Sequence, residues 1–216
     1  MAGSRRRRSK NARMIEALFL DVGGVLGTNG WGRDSRKLAC QKFNLEEAEV
    51  DERHRMTFDA YEIGKLTLPQ YLERTIFYQP RDFSQQDFID FMISRSQPYA
   101  DMIEFVSAIK KKYGLKITIV SNEGRELTLH RVEHFRLKDF VDSFVFSCFA
   151  RFRKPDPDIF TLALNISLHQ AERTLYVDDR ALFVEVAQGF GMQGCVHDHK
   201  NLDATRQVFA KNGLTL

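Results

Sequence analysis

Residues 19–26 read Phe19-Leu20-Asp21-Val22-Gly23-Gly24-Val25-Leu26. The run from Ile15 is mostly apolar, Asp21 ends it, and two glycines follow within three residues. A short apolar run closed by such a turn is the pattern of a buried strand, here Ile15–Asp21. Four further runs share this character: Leu115–Ser121, Ser143–Ser147, Thr174–Asp178 and Gln193–His197, the last being the least apolar. Helical patterns separate most of them, at 99–112, 125–136, 156–166, 181–190 and 201–212. Met102, Ile103, Phe105, Val106 and Ile109 have helical spacing, with Pro98 before them and Gly114 after. Asp156 and Pro157 suit a helix start, where a carboxylate caps and proline fills the first turn. Strands that alternate with helices predict an α/β fold built on a parallel sheet.

One interval breaks the alternation. Residues 33–97 contain no convincing strand, only helix-like patterns around Ser35–Phe43, Leu68–Tyr78 and Gln85–Ser94. The first two strands are thus about ninety residues apart, far more than a crossover helix needs. An all-helical subdomain inserted after the first strand accounts for the excess. The expected organisation is a core of residues 14–32 and 98–216, an insert at 33–97, and a separate tail at 1–13.

That tail, MAGSRRRRSKNAR, carries six basic side chains and no acidic one. The chain has a formal charge of +3, so the remainder stands at −3. A basic run almost without apolar residues predicts disorder, and it has no apolar stretch of the kind a secretory signal needs. The preferred reading is a solvated extension, and nucleic acid is not the expected partner, although such a charge run is chemically able to bind it. No segment reaches the 18 consecutive apolar residues of a membrane span. Cys40, Cys148 and Cys195 are odd in number and widely spaced. That predicts reduced, buried thiols in a cytoplasmic protein, with no disulfide framework or zinc site.

Parallel sheets place ligand sites at the carboxyl ends of their strands. There stand Asp21-Val22-Gly23-Gly24, Ser121-Asn122 and Asp178-Asp179, and before the fourth strand comes Arg153-Lys154-Pro155-Asp156-Pro157. A carboxylate on a glycine turn is free to attack an electrophile. Adjacent aspartates beside a third repel one another unless a cation lies between them, and Mg²⁺ is the hard, oxygen-preferring choice. Ser121 and the amides after it suit phosphoryl oxygens, and Lys154 suits charge neutralisation.

Together, FLDVGGVL, ITIVSN, RKPDPDIF and LYVDD resemble the four motifs of the haloacid dehalogenase superfamily, in order, over essentially all of the chain from Met14. The resemblance implies a Rossmann-like core whose helical insert is a cap. It implies that Asp21 forms a covalent aspartyl intermediate and that Mg²⁺ is held by Asp21, the Gly23 carbonyl, Asp178 and Asp179, with Asp179 the likelier direct ligand. It makes Lys154 a catalytic residue, with Ser121, Asn122 and Gly24 binding the phosphoryl group of a small phosphorylated metabolite. Trp31, just after Gly30, is the best candidate for substrate contact near the insert; His54, Arg33 and Arg36 are others.

Two positions depart from the family pattern. Gly23 stands where most phosphatases of the family have an acid/base Asp, and Phe183 replaces an acidic residue after motif four. A positive φ at 23 would make glycine sterically necessary there. A 2-haloacid dehalogenase is the competing enzyme, since a halide needs no proton, but the Asp178-Asp179 pair argues against it. A catalytically weak phospholigand-binding protein is the non-enzymatic alternative. His197, Asp198 and His199 read as surface residues without a further ligand, and Phe144, Phe146, Phe149 and Phe152 as packing residues.

Overall fold

The computed structural model describes residues 14–216; the expectations for the basic tail lie outside them. Five strands, β1 (Ala17–Leu20), β2 (Lys116–Ser121), β3 (Ser143–Phe146), β4 (Thr174–Asp178) and β5 (Gln193–Val196), form one parallel sheet in the order β3-β2-β1-β4-β5. Central β1 pairs Phe19 with Thr118 on one side and Tyr176 on the other. All four of its residues are wholly buried, which is why it reads as a continuous apolar run.

Its side chains still alternate between faces. Leu18 and Leu20 join the core that holds Met102, Phe105 and Ile109 of α5 (Ala100–Tyr113) and Phe209 of α10 (Leu202–Lys211). Ala17 and Phe19 face the other core, with Ile159, Phe160 and Ala163 of α8 (Pro157–Ser167) and Phe183, Val184 and Ala187 of α9 (Ala181–Gly189). Helices on both faces complete the α/β architecture. Gly114 closes α5 at φ +68°, and the Asp156 side chain accepts from Asp158 N at the start of α8, with Pro157 in the first turn.

Between β1 and α5 stand four helices: α1 (Arg33–Lys42), α2 (Glu47–Glu62), α3 (Leu68–Thr75) and α4 (Gln85–Ser94). Thr67/Gln70 and Ser84/Asp87 form capping boxes that start α3 and α4. The long α2 was not foreseen from the sequence. Its run EAEVDERHRMTFDAYE buries only Val50, Tyr61 and Glu62, too few to mark an apolar stripe. The four helices share a core of their own, including Trp31, Leu68, Tyr71, Leu72, Phe88 and Met92. The two chain crossings into this layer pair with each other, Thr28 N donating to Gln97 O and Tyr99 N to Leu26 O. Arg131 of α6 (Arg125–His134) ties both, donating to Thr28 O and to Ser96 Oγ.

Several side chains stand differently from expectation. Phe146 is buried, but Phe149 and Phe152 are exposed, because they lie beyond β3 where strand alternation has ended. His197 is buried rather than superficial, its Nδ1 2.8 Å from Thr205 Oγ1, while His199 stacks on Tyr99. All three cysteines are buried. No helix among the described residues is long and apolar enough to cross a membrane.

Inside the helical layer Trp31 Nε1 donates to Tyr71 Oη, which lies 2.8 Å from His54 Nδ1. Burial, with nearby Arg36 acting the same way against Asp51, pushes His54 down from 6.5 to about 3. A histidine kept neutral by folding takes a proton more readily when unfolded, so its contribution is lost as the pH falls from about 6.5 toward about 3. Across that window the urea midpoint of wild type is expected to fall more steeply than that of His54→Gln. Parallel pH profiles for the two proteins would refute a neutral, half-buried His54.

Candidate active site

The carboxyl ends of β1, β2 and β4 and the loop before α8 meet at one place. Asp21 follows β1 directly, Ser121 ends β2, Asp178 ends β4, and Asp179 follows it. Lys154 is the hub, buried to 1% exposure, with Nζ 2.6 Å from Asp178 Oδ2 and 3.0 Å from Asp21 Oδ1. The Asp21 contact is an ion pair whose angles do not make a hydrogen bond. Asn122 fixes the lysine's backbone from both sides, its Nδ2 donating to Lys154 O and its Oδ1 accepting from Lys154 N, each at 2.8 Å. Its side chain is therefore engaged with the loop rather than turned to the cavity.

The three carboxylates differ in what holds them. Asp178 is the most fully engaged: Lys154 Nζ and Tyr176 Oη donate to Oδ2, and Arg180 N to Oδ1. Asp179 accepts from Asn29 Nδ2 on Oδ2, while its buried Oδ1 has no hydrogen-bond partner among the described residues. One oxygen each of Asp21, Asp178 and Asp179 lies within 4.8 Å of the others, an arrangement able to hold a metal ion. Three acids against one lysine leave an excess of negative charge, and an all-oxygen donor set favours a hard cation.

The electrostatics agree. Burial pushes Asp21 up to about 7 against the pull of Lys154, with Asp178 adding to the rise. Burial also raises Asp179, opposed by its hydrogen bond from Asn29. For Lys154, burial works downward, but Asp21 and Asp178 outweigh it and leave the ammonium raised. Carboxylates strained upward in this way are what a cation at the cluster would relieve.

Gly24 and Gly23 serve different ends. Gly24 has φ +78°, and a Cβ there would overlap the Asp179 carboxylate. Its N–H donates to Gly27 O, so it is not offered to a ligand, and the residue makes room instead. The positive φ anticipated for the turn falls on Gly24 and not on Gly23. A Cβ on Gly23 would stand 3.0 Å from Asn29 Oδ1 and 3.4 Å from Arg131 Nη1.

A cavity of about 880 Å³, open solvent included, joins this cluster to the helical layer. Asp21, Gly23, Asn122 and Lys154 line its inner end, and Trp31, Phe58, Tyr61, Leu68, Met92 and Ile93 its outer wall. Trp31 is only 4% exposed and belongs to the insert's core as well as to this wall. Ser121 is buried at the rim and donates to Glu123 Oε1 at 3.3 Å. Arg33 is not part of the lining, nor are His54 and Arg36, the last of which pairs with Asp51.

Sequence reading passed over Asn29, Glu62, Glu123, Arg131 and Arg180, and gave Arg153 no role of its own; all six are in the lining. Glu62 of α2 is buried and raised by that burial against its neighbour Arg153, 2.8 Å away. Arg153, adjacent to Lys154, also pairs with Asp59, joining α2 to the lysine's loop. Only Glu123 carried a usable signal, since it directly follows Ser121-Asn122.

A parallel α/β sheet with an acid cluster at its carboxyl rim is able to house metal-assisted hydrolysis, and the comparisons place the chain in a hydrolase family. The profile of the haloacid dehalogenase-like hydrolase family matches residues 15–191, and the chain belongs to that family. Bifunctional epoxide hydrolase 2 of Sus scrofa is 23% identical over 197 residues, 82% of this chain; the chain spans only 35% of that relative's length. A predicted haloacid dehalogenase-like hydrolase from Porphyromonas gingivalis has a similar structure (TM-score 0.73, 19% identity, 91% of this chain and 98% of that one). So does a family enzyme from Bacteroides thetaiotaomicron solved with magnesium and inorganic phosphate (TM-score 0.71, 18% identity, 86% and 95%). The L-2-haloacid dehalogenase of Xanthobacter autotrophicus, with chloropropionic acid covalently bound, matches at TM-score 0.60 and 19% identity, over 84% and 76%. At these identities the structural likeness is one of fold.

Gly24→Ala is expected to cost more than Gly114→Ala. Both glycines have positive φ, worth about 1–2 kcal/mol to a side chain, but nothing lies within 4 Å of a Cβ at Gly114, whereas Asp179 blocks one at Gly24. Chemical denaturation with and without Mg²⁺ measures both costs. Stabilisation by Mg²⁺ is expected to survive in Gly114→Ala and weaken in Gly24→Ala; equal behaviour would overturn the role given to Gly24.

Proposed function

We propose that this hydrolase is a Mg²⁺-dependent phosphatase acting on a small phosphomonoester through an aspartyl-phosphate on Asp21. The observation that carries this reading is the buried cluster of Asp21, Asp178, Asp179 and Lys154. A haloacid has one negative charge and a leaving group that needs neither cation nor proton; three carboxylates with an unpartnered Asp179 oxygen suit a cation and a dianionic phosphoryl group better. The magnesium and phosphate bound by the Bacteroides enzyme accord with that reading.

In this reading Asp21, Asp179 and the Gly23 carbonyl would hold Mg²⁺, with Asp178 direct or through water, and the bound ion would supply charge neutralisation for the phosphoryl group. Asp21 attacks phosphorus as the ester P–O bond breaks and its electron pair leaves with the alcohol oxygen. Lys154 holds the Asp21 carboxylate in place and balances charge on the phosphoryl group. Ser121, by turning its hydroxyl from Glu123, and the Asn122 amide bind that group, since the Glu123 amide is already given to Ser147 Oγ, and the Asn122 side chain keeps Lys154 in register. Water then hydrolyses the aspartyl-phosphate. The helices at 33–97 act as the cap over the cavity, and Trp31 and the apolar wall take the substrate's organic part. The natural substrate is a small phosphorylated metabolite of the cytoplasm.

Hydrolysis of p-nitrophenyl phosphate is expected to require Mg²⁺ and to vanish in Asp21→Asn. Activity that persists in excess chelator or in that variant, or halide release from 2-chloropropionate without phosphatase activity, would sink the proposal. Gly23 also offers no proton to the leaving group, and general acid catalysis contributes about 10²–10⁴-fold. Aryl and sugar-1-phosphates are therefore expected to turn over far faster than simple alkyl phosphates. Equal rates across the series would show that another group supplies the proton.

A further inference from the structure

We propose that Glu123 is the general base for the second half-reaction, taking the proton of the water that attacks the aspartyl-phosphate; this rests on the phosphatase reading above. The proposal begins at Gly23, where the chain supplies no carboxylate beside the nucleophile. Arg131 Nη1 lies 3.4 Å from where a Cβ on residue 23 would stand, and that same nitrogen is ion-paired to Glu123 Oε1. Glu123, two residues past the end of β2, is thus held by the guanidinium that stands beside position 23. Glu123 is 4% exposed, lines the cavity with Asp21 and Gly23, and receives the Ser121 hydroxyl on Oε1.

Its two oxygens divide the labour. Oε1 is committed to Arg131 and Ser121, while the buried Oε2 has no hydrogen-bond partner among the described residues. A buried carboxylate oxygen left without a donor is costly, and such an atom at a reaction centre calls for a function. The other acids of the cavity are differently placed. Glu126 is engaged at both oxygens, by Tyr61 Oη and Leu68 N; Glu62 Oε2 also lacks a hydrogen bond, but it lies on α2 in an ion pair 2.8 Å from Arg153.

The ion pair with Arg131 fixes Oε1 and leaves Oε2 as the atom that takes the water proton. Glu123 serves the hydrolysis step. There, the water oxygen forms a bond to phosphorus as the bond from phosphorus to the Asp21 oxygen breaks. The electron pair of that bond returns to the Asp21 carboxylate, the water proton passes to Glu123 Oε2, and inorganic phosphate forms. Glu123 then releases the proton to solvent. Arg131, which also grips Thr28 O and Ser96 Oγ, is the positioning residue that holds Glu123 at the crossing of core and insert.

The test separates the two half-reactions by rapid mixing of p-nitrophenyl phosphate and Mg²⁺ with wild type, Asp21→Asn and Glu123→Gln. Glu123→Gln is expected to release one equivalent of nitrophenolate in a burst at close to the wild-type rate, then turn over about 10²–10⁴-fold more slowly. Phosphoenzyme should accumulate after acid quench. Steady turnover within threefold of wild type would overturn the assignment, as would a cooperatively melting Glu123→Gln protein that has lost the burst along with turnover. Should the amide variant fail to melt cooperatively, Glu123→Asp replaces it: a retained burst with slowed turnover supports the base, and unchanged turnover refutes it. Wild type without Mg²⁺-dependent turnover, or an active Asp21→Asn, would instead bring down the phosphatase reading itself.

Discussion

A buried ammonium is stable only beside buried negative charge, and Lys154 meets that requirement with Asp21 and Asp178. Taking such groups out of water costs several kcal/mol per ion unless geometry and hydrogen bonds compensate. Here they do so for Asp178, whose oxygens are also held by Tyr176 Oη and Arg180 N. The contact ties the end of β1 to the end of β4 and to the loop before α8. Asn122 extends the tie to β2 by clasping the Lys154 backbone. Four separate stretches of sequence thus depend on one another through a single side chain.

The cost that Lys154 leaves uncompensated falls on Asp179 and on Asp21. Asp179 turns toward Asn29 with one oxygen unpartnered, and Gly24 lacks a side chain because that carboxylate occupies its space. Burial lifts Asp21 to about 7 even beside the lysine. A cation and a phosphoryl group would complete the electrostatics that the fold leaves open. Arg131 is the corresponding anchor on the other side. It binds both crossings to the helical insert and the Glu123 carboxylate, so the geometry beside Gly23 is coupled to the position of the insert.

The central strand was legible because β1 is buried on both faces, and a continuous apolar run ending in Asp21-Val22-Gly23-Gly24 has few other readings. The helices with clear apolar stripes or caps were legible too, as at Met102–Ile109 and Asp156–Pro157. Helix α2 was not, because a helix that buries so few of its residues looks like a polar linker. Phe149 and Phe152 misled in the opposite way: aromatic residues just after a strand read as packing residues, yet both rings are exposed.

The sequence by itself determined the parallel α/β class, the strand ends where chemistry would sit, and the acids and lysine they carry. These are properties of local pattern, since hydrophobic period and turn residues act over a few positions. The tertiary structure alone decided which carboxylate oxygens lack a partner, that Gly24 rather than Gly23 takes the positive φ, and that Glu123 and Arg131 line one cavity with the nucleophile. Each of those depends on groups brought together from distant positions, such as Asn29 with Asp179 or Arg131 with Thr28. Burial and contact between remote segments are set by packing, and no local pattern encodes them.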